Sequence, residues 1–466
     1  MVDATRCLDT APIWFQISEF VTPKPQLNGT VETDLAIIGA GLAGLATAYY
    51  VSKYAPGLSI TVLEAGRIGA GATGGCTGIV SPGLKMALPQ LRRKYGDEGA
   101  RAAFDASQHG VDLLRQIVNA EHIDCDQRDE PHTLAATTVG QKHRMQTHLK
   151  ALAELDRGVD CLSDTELTER AGPGFLAGLS YDNTMLVDPY QLLVGLTDTV
   201  ITLGVTVFEQ SRALTMEPLA TGRGTRVSTA TGSVVADKVL LAMDGYAHDL
   251  NPFPHSVVPI RAHVLATEPL TADQQEQLQW NGRGGVIDQR NFFNYYRMSA
   301  DGRLVFGGGP VIVPTGDPVP DSRSADAVQQ RLYRELTERF PALAGVRVSA
   351  RWSALGASTQ DRLPMVSTVP GYTGVYHAGA WCGHGLALAV DAAWRFARQL
   401  GGHPAETLPW SRRRALSMPR PALYFGTKAY LKLLDFADRR EGRDIAVAVP
   451  QPSPNKPAAT RKVALS

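Results

Sequence analysis

The chain has 466 residues, 44% of them hydrophobic, so it can bury a large core and form two or three structural units. The 46 lysines and arginines balance the 46 aspartates and glutamates. This balance leaves no net field for holding nucleic acid, and we expect no nucleic-acid partner. The five scattered cysteines lack CxxC spacing, which favours a reducing cytoplasm and fits neither a disulfide framework nor a metal site.

The two ends of the chain carry no membrane signal. The N-terminus lacks the basic start and apolar core of a secretory signal, and no run approaches the roughly 18 apolar residues of a membrane span. We therefore expect a cytoplasmic protein without an integral membrane segment, and peripheral membrane contact stays open as an alternative. Residues 446–466 are rich in Pro, Ala and Lys without apolar periodicity, which predicts a mobile tail.

The first elements in chain order predict a βαβ unit. Residues 34–38 (DLAII) form a short apolar run, glycines follow, and LAGLATAYYVSKY carries helical spacing. Residues 59–63 (SITVL) form a second apolar strand that ends at Glu64. The unit has the length of about 30 residues that is typical of a Rossmann-type nucleotide fold.

Later elements extend this fold and interrupt it. Helical spacing covers residues 90–120, and residues 234–243 indicate a buried strand. Residues 374–380 predict a strand that runs through a glycine-rich turn into a helix over 385–400. Between them, residues 255–310 alternate β-type side chains, which predicts an antiparallel sheet lining a pocket. The nucleotide fold is therefore predicted to be discontinuous, with a second domain inserted.

The sequence GAGLAG, which begins at Gly39, is the glycine pattern of a dinucleotide-binding turn. Gly39 permits the turn, Gly41 lets the backbone approach a pyrophosphate, and Gly44 allows close packing of helix and strand. The helix that begins with Leu42 and Ala43 presents unpaired N–H groups and a positive dipole end to the phosphates.

An acidic residue ends the second strand. Glu64 stands twenty positions after Gly44, where a carboxylate accepts hydrogen bonds from ribose hydroxyls and disfavours a 2′-phosphate. The following segment, EAGRIGAGATGGCTGIVSPG, resembles the ExxxxGxGAS-type segment of the D-amino-acid oxidase/glycine oxidase superfamily. That resemblance implies FAD, with backbone contacts to it from Ala65, Arg67, Gly71, Ala72 and Thr73.

The resemblance covers roughly residues 10–435 and is nearest to the γ-glutamylputrescine oxidoreductase-like branch. Trp14 and the segments MLVDPYQLLVGL, ATEPL, YYRMSADGRLVFGGG, STQDRLP and GHGLAL carry it. It implies oxidation of a small amine to an imine by hydride transfer to flavin N5, with oxygen or another electron acceptor.

The implied fold class is α/β, with a discontinuous Rossmann-type FAD-binding domain and an inserted α+β substrate domain built on an antiparallel sheet. We expect the FAD-binding domain at 30–105, 185–250 and 350–402, the substrate domain at 106–184 and 251–349, and a C-terminal extension at 403–445.

The segment WCGHGLALAVDAAW resembles the closing motif of the superfamily, which implies FAD contacts from Gly383, Gly385 and Leu386. A helix that begins at Gly385 would aim its positive end at the flavin edge that becomes anionic on reduction. His384 is predicted to lie beside the ring as an active-site polar group. The alternative is a histidine hydrogen-bonded within the turn.

The predicted antiparallel sheet supplies a second set of candidates. By strand alternation Tyr295 and Arg297 share one face and Tyr296 lies on the other. Arg297 beside tyrosines could clamp a substrate carboxylate; the alternative is a surface arginine. His263 is a weaker candidate.

Several positions depart from the superfamily pattern. Where an LRPxTxDxxP-like segment carries a carboxylate-binding arginine, this chain has Gly356, which favours an amine over a free α-amino acid. Gly75 stands where arginine is common, and Ala380 and Ala393 stand where glycine is common. No lysine occurs from residue 244 to 427, so the oxygen-promoting lysine of related oxidases is absent there.

Two cysteines flank the predicted flavin segments. Cys76 and Cys382 are interpreted as buried thiols rather than covalent tethers. The alternative functions are a D-amino acid or glycine oxidase or dehydrogenase, a biosynthetic tailoring oxidase, and an inactive flavin-binding relative.

Overall fold

A computed structural model describes residues 11–448 apart from 19–20, 221, 248–249, 251–252, 254–255, 315–321, 405–407 and 413–417. The strands are β1 Gly29–Ile38, β2 Ile60–Leu63, β3 Ile79–Val80, β4 His132–Ala136, β5 Asp160–Cys161, β6 Ala177–Tyr181, β7 Met185–Leu186, β8 Thr206–Phe208, β9 Thr215–Pro218, β10 Thr225–Ser228, β11 Gly232–Leu241, β12 Val257–Pro269, β13 Val286–Asp288, β14 Tyr295–Met298, β15 Arg303–Ile312, β16 Val348–Thr359, β17 Met365–Thr368 and β18 Val375–Gly379. The helices are α1 Ile13–Ile17, α2 Leu42–Tyr54, α3 Leu88–Ala120, α4 Val139–Ala153, α5 Asp164–Ala171, α6 Pro189–Thr202, α7 Ala272–Gln277, α8 Ser322–Arg339, α9 Gly385–Leu400 and α10 Arg420–Ala448.

The first sheet is the predicted nucleotide-binding sheet. Its strand order is β17-β18-β11-β1-β2-β8, and the pairs from β18 to β8 are parallel. The last four residues of β1 are all buried, as expected of a strand covered on both faces. Helices α2, α3, α6 and α9 supply the core on one face. The Rossmann-type fold predicted from the first βαβ unit is therefore confirmed.

The second sheet has the order β16-β12-β15-β14-β13-β4-β6-β5. Its pairs are antiparallel except β13 with β4, which run parallel. One face packs against α8, where Leu332 and Leu336 meet Leu265 and Phe306. The opposite face carries a separate core that includes Trp14 of α1 and Trp352 of β16. This sheet is the predicted inserted antiparallel unit, joined by β4–β6 from earlier in the chain.

Strand β16 lies where the FAD-binding domain is expected to resume, and it belongs to the second sheet. The next strand of the first sheet, β17, begins at Met365. The long antiparallel register between β12 and β16 holds β16 there. Helix α10 occupies the predicted C-terminal extension and runs to Ala448; the rest of the predicted tail, 449–466, lies outside the described residues.

Among the described residues, no helix is long and apolar enough to cross a membrane.

Candidate active site

The predicted glycine turn joins β1 to α2. Gly39 has φ +108°, and a Cβ added there would lie 2.6 Å from the Ala242 carbonyl oxygen. A Cβ on Gly44 would lie 1.9 Å from the Gly39 carbonyl oxygen. Both positions therefore require glycine for packing. Gly41 differs, because an added Cβ would meet only the Thr73 Oγ1 atom, at 3.5 Å. The backbone at Gly41 is thus accessible from the side on which a ligand would lie.

The N-terminus of α2, Glu64 and Thr73 come together around this turn. Gly41 is the N-cap of α2 and offers no side-chain cap, while the Leu42 N–H donates to Thr73 Oγ1 at 3.3 Å. The Glu64 carboxylate accepts from the Ala40 N–H at 3.1 Å and the Gly66 N–H at 2.9 Å. Burial raises the pKa of Glu64, and these backbone hydrogen bonds oppose the shift.

The remaining predicted contacts of this segment lie around the same turn. Ala43 is buried in the first turn of α2, Ala72 is half-buried, and Ala65 and Arg67 are exposed. A Cβ added at Gly71 would meet nothing within 4 Å. Open backbone at two glycines, an uncapped helix start and a carboxylate at the strand end fit the pyrophosphate and ribose of a dinucleotide such as FAD.

The next residues form a seam between the two sheets, defined here as residues 75–77. The Trp352 indole N–H donates to the Gly75 carbonyl at 2.8 Å, and the Trp14 indole N–H donates to the Cys76 carbonyl at 2.8 Å. A Cβ on Gly75 would lie 2.7 Å from the Ala354 Cβ atom. The close approach of β16 therefore explains why glycine replaces the arginine common in the family.

Arg297 is surrounded by hydrogen-bond acceptors of the protein itself. Its side chain is fully buried and donates to the carbonyls of Val187 at 2.7 Å and Thr77 at 3.4 Å, and to Asp126 at 3.3 Å. It is therefore not a surface residue. Protein acceptors already engage the guanidinium that was predicted to clamp a substrate, since a third carbonyl, that of Met298, accepts from its Nε at 3.2 Å.

The predicted alternation of the neighbouring tyrosines is confirmed. Tyr295 packs with the core on the seam side of the sheet, and its ring covers Gly307. The Tyr296 hydroxyl donates to the Ala171 carbonyl on the opposite side. His263 alternates with Val264 and lies on the α8 side with Leu265, which separates it from the seam.

The closing motif forms a strained turn before α9. Gly383 has φ +90° and a Cβ added there would meet nothing within 4 Å, so the backbone is open at this point as well. Ala380 and Cys382 take φ values of +53° and +56°, in the left-handed region that disfavours side chains. This conformation gives the physical reason why glycine is common at the position of Ala380. His384 is the N-cap of α9, with Gly385 and Leu386 in its first turn.

Asp244 holds this turn against β16. Its carboxylate accepts from the Ala357 N–H at 3.1 Å and the Trp381 N–H at 3.4 Å. A Cβ on Gly356 would lie 3.4 Å from the same carboxylate. Burial raises the pKa of Asp244 to about 6, and the backbone hydrogen bonds oppose the shift. The position where relatives carry a cation thus borders a buried acid.

A cluster of three basic side chains, Lys85, His132 and His384, lies at the same end of the molecule. The His384 ring approaches Gly83. Burial, with a further contribution from the Lys85 charge, lowers the pKa of His384 to about 4. Burial and His384 lower the pKa of His132 to about 4. Both imidazoles are therefore neutral at neutral pH.

The polar atoms of this cluster are incompletely satisfied. His132 Nδ1 shares a hydrogen bond with Ser81 Oγ at 2.8 Å, and within the described residues its Nε2 is buried without a partner. The Lys85 Nζ lies 4.3 Å from the Phe293 ring centroid, and no described carboxylate forms an ion pair with it. Burial and the Arg362 charge lower the pKa of Lys85 to about 8. A buried nitrogen without a partner, such as His132 Nε2, marks a place where a ligand completes the hydrogen bonding.

Both cysteines near the predicted flavin segments carry protonated thiols. Burial raises the pKa of Cys76 to about 11 and also raises the pKa of Cys382. The Cys382 thiol donates to the Ala380 carbonyl at 3.1 Å. Because the thiolate is the reactive form, this environment favours structural thiols over covalent tethers.

A family model described as FAD dependent oxidoreductase (DAO) matches residues 34–399, which span the glycine turn and the closing motif. The chain belongs to the DAO family of FAD-dependent oxidoreductases.

Curated relatives share this family over most of their length. The chain is 28% identical to the gamma-glutamylputrescine oxidoreductase of Escherichia coli over 82% of this chain and 86% of that protein. It is 29% identical to the probable oxidoreductase OrdL of Rhizobium meliloti over 78% and 82%. The glycine oxidase structure from Geobacillus kaustophilus superposes with a TM-score of 0.69 at 17% identity, covering 83% of this chain and all of that chain.

Sequence reasoning missed Lys85, His132 and Asp244. Asp244 follows the strand that was predicted over 234–243, and the end of a parallel strand is where functional side chains gather. Lys85 and His132 carried no such signal, because only the tertiary packing brings their loops to His384.

The openness of Gly41 predicts that Gly41→Val abolishes flavin binding without unfolding the protein. The new side chain meets only Thr73 inside the protein and would occupy space required by the pyrophosphate. Visible absorbance per mole of purified protein measures the flavin, and circular dichroism measures the fold. Gly57→Val, at an equally open glycine beyond α2, is the matched control and retains the yellow colour. A yellow Gly41→Val protein would contradict the assignment.

The environment of Arg297 predicts that Arg297→Lys lowers stability by on the order of 2–4 kcal/mol, since one ammonium cannot satisfy the separated acceptors of a buried guanidinium. Chemical denaturation of the flavin-loaded protein measures the loss. Arg347→Lys, on an exposed side chain paired with Glu268, is the control and changes stability little. A large rise in KM at unchanged stability would return Arg297 to the role of substrate clamp.

Proposed function

We propose that this chain uses FAD to oxidise the C–N bond of a small amine to an imine, and that an α-carboxylate is disfavoured at the reacting carbon. The observation that carries the proposal is the pair Gly356 and Asp244. The strand position that would supply a carboxylate-binding arginine has no side chain and lies beside a buried acid. An anion placed there would lack a counter-charge and would face a like charge, which is costly in a buried site.

Bound FAD would supply a two-electron acceptor for the C–H bond next to the nitrogen. The residues proposed to hold it are the backbone of Gly41, Leu42, Ala43, Gly71 and Thr73, the carboxylate of Glu64, and the start of α9 at Gly383–Leu386. His384 Nδ1 hydrogen-bonds the Cys382 carbonyl within the turn at 3.4 Å, and His132 Nδ1 bonds Ser81, so the Nε2 atoms of these two neutral histidines are the groups offered to the substrate. The proposed binding of FAD is noncovalent, because the thiols of Cys76 and Cys382 are protonated.

Lys85 is proposed to keep the bound amine deprotonated. An amine must be neutral to give up the C–H bond as a hydride, and a nearby fixed cation disfavours a second positive charge. Lys85 carries that charge below about pH 8. The neutral histidines beside it add no competing charge. The cluster therefore selects the reactive protonation state of the substrate.

We expect Lys85→Met to shift the pH dependence of flavin reduction to higher pH, because the bound amine regains a higher pKa once the cation is removed. Anaerobic stopped-flow absorbance measures the rate of flavin reduction at several pH values, and from these the pH at which the rate rises. Lys94→Met, which removes a lysine paired with Asp361, is the control and leaves this pH unchanged. The same pH in Lys85→Met and the unaltered protein would contradict the proposed role.

Stability gives an independent readout for the same variant. The folded-state pKa of Lys85, about 8, lies below its ordinary value of 10.5, so the folded protein prefers the neutral amine. The charged lysine therefore costs stability below pH 8, and the cost fades between pH 8 and 10.5. Lys85→Met should stabilise the protein by about 1–2 kcal/mol at neutral pH, after allowance for its partial exposure. The gain should disappear at high pH.

The choice between amines and α-amino acids is tested by anaerobic flavin bleaching. We expect primary or secondary amines, including those with a remote carboxylate, to reduce the flavin faster than glycine, D-alanine or D-proline. Admission of oxygen afterwards tests whether oxygen or another acceptor reoxidises the enzyme. If a simple α-amino acid is the fastest reductant, the inference from Gly356 is wrong, and Lys85 replaces Arg297 as the candidate anchor. No bleaching by any amine or amino acid would favour an inactive relative.

A further inference from the structure

Helix α10 presents an apolar stripe to solvent. Phe425, Leu433 and Phe436 are 68%, 66% and 66% exposed; Ala422, one turn before Phe425, and Ala429, between Phe425 and Leu433, are exposed as well. These five residues follow one another at spacings of three and four, so they share one face of the helix. We call them the α10 stripe. Large apolar side chains concentrated on one exposed face indicate a surface that is covered in use.

The opposite side of α10 holds it to the body of the protein. Leu423 is buried with Val258 and Val313. Asp438 is buried, and its carboxylate accepts from the backbone N–H groups of Asn291 and Phe292, both at 2.9 Å. The docking of α10 is therefore satisfied without the stripe.

The charged side chains of α10 fall into two groups. The acidic side chains described on α10 face the protein: Asp435 pairs with Arg331 at 2.5 Å, and Glu441 pairs with Arg144 at 3.0 Å. Lys428, Lys432 and Arg439 are exposed and follow helical spacing along one edge of the stripe, where Arg439 also pairs with Asp435 at 2.9 Å. The whole chain has zero net charge, so this basic edge is a local feature.

We propose that α10 docks flat on an anionic lipid surface, with the α10 stripe in the acyl boundary and Lys428, Lys432 and Arg439 against acidic headgroups. An apolar face flanked by basic side chains is the arrangement that binds such interfaces in the plane of the membrane. A second copy fits less well, because a two-fold antiparallel pair of α10 helices would set each basic edge against its own copy. The docked helix would lie near the cluster of Lys85, His132 and His384. Asp438 of α10 binds the Phe292 N–H, and the ring of the next residue, Phe293, lies beside Lys85.

Vesicle co-sedimentation of the flavin-loaded full chain tests the proposal. We expect binding to vesicles of phosphatidylcholine mixed with phosphatidylglycerol, much weaker binding to phosphatidylcholine alone, and loss of binding at high salt. Leu433→Gln combined with Phe436→Gln should weaken binding at least about tenfold. Lys428→Gln combined with Lys432→Gln should weaken it on the order of twentyfold.

Matched controls separate docking from general effects. Leu214→Gln removes another exposed leucine, and Lys53→Gln combined with Lys238→Gln removes two charges from the nucleotide-binding sheet and its helix; neither should alter vesicle binding. Retained flavin absorbance and melting temperature verify the fold. Absence of vesicle binding, or binding that the α10 variants leave unchanged, would overturn the proposal. Light scattering that shows a dimer dispersed by the Leu433 and Phe436 changes, without vesicle binding, would assign the stripe to a second copy instead.

Discussion

Two hydrogen bonds from tryptophan side chains to consecutive backbone carbonyls join the two sheets of this protein. Trp352 of the second sheet reaches Gly75, and Trp14 of α1 reaches Cys76, each at 2.8 Å. The Arg297 guanidinium donates to the carbonyl of the next residue, Thr77. A loop that approaches a dinucleotide cannot satisfy its own carbonyls by secondary structure, so donors from elsewhere must do so. This seam fixes where Thr73 meets α2 and hence where the two halves of the site face each other.

The parts of the fold that the sequence predicts well are those decided by local chemistry. Gly39 has a positive φ, and Gly44 lies where the helix packs closely on the strand. Both constraints involve only neighbouring residues, and glycine is the residue that meets each of them. Glu64 lies one strand away from them and was equally predictable. The helix at 385–400 begins and ends as expected, because a glycine turn and continuous apolar spacing define it.

The rest of the site depends on contacts between distant segments. The sequence leaves Arg297 open between a substrate clamp and a surface arginine, whereas the acceptors that engage it come from residues 77, 126 and 187. The placement of β16 has a related cause, since pairing with β12 rather than composition decides which sheet it joins. His132 reaches His384 only through the packing of β4 against neighbouring strands, a relation that no spacing in the sequence expresses.

The two ionisable groups nearest the closing turn are treated by the protein in opposite ways. Asp244 is buried but receives several backbone N–H donors, so its charge is compensated internally and serves to hold Ala357 and Trp381. Lys85 lies beside the Phe293 ring without an ion pair among the described residues; burial lowers its pKa, and the Asp438 charge opposes that shift. Proteins retain such an uncompensated group where function needs it. Under the proposed function, Lys85 would disfavour protonation of a bound amine, whereas Asp244 leaves the position of Gly356 without a counter-charge for a carboxylate.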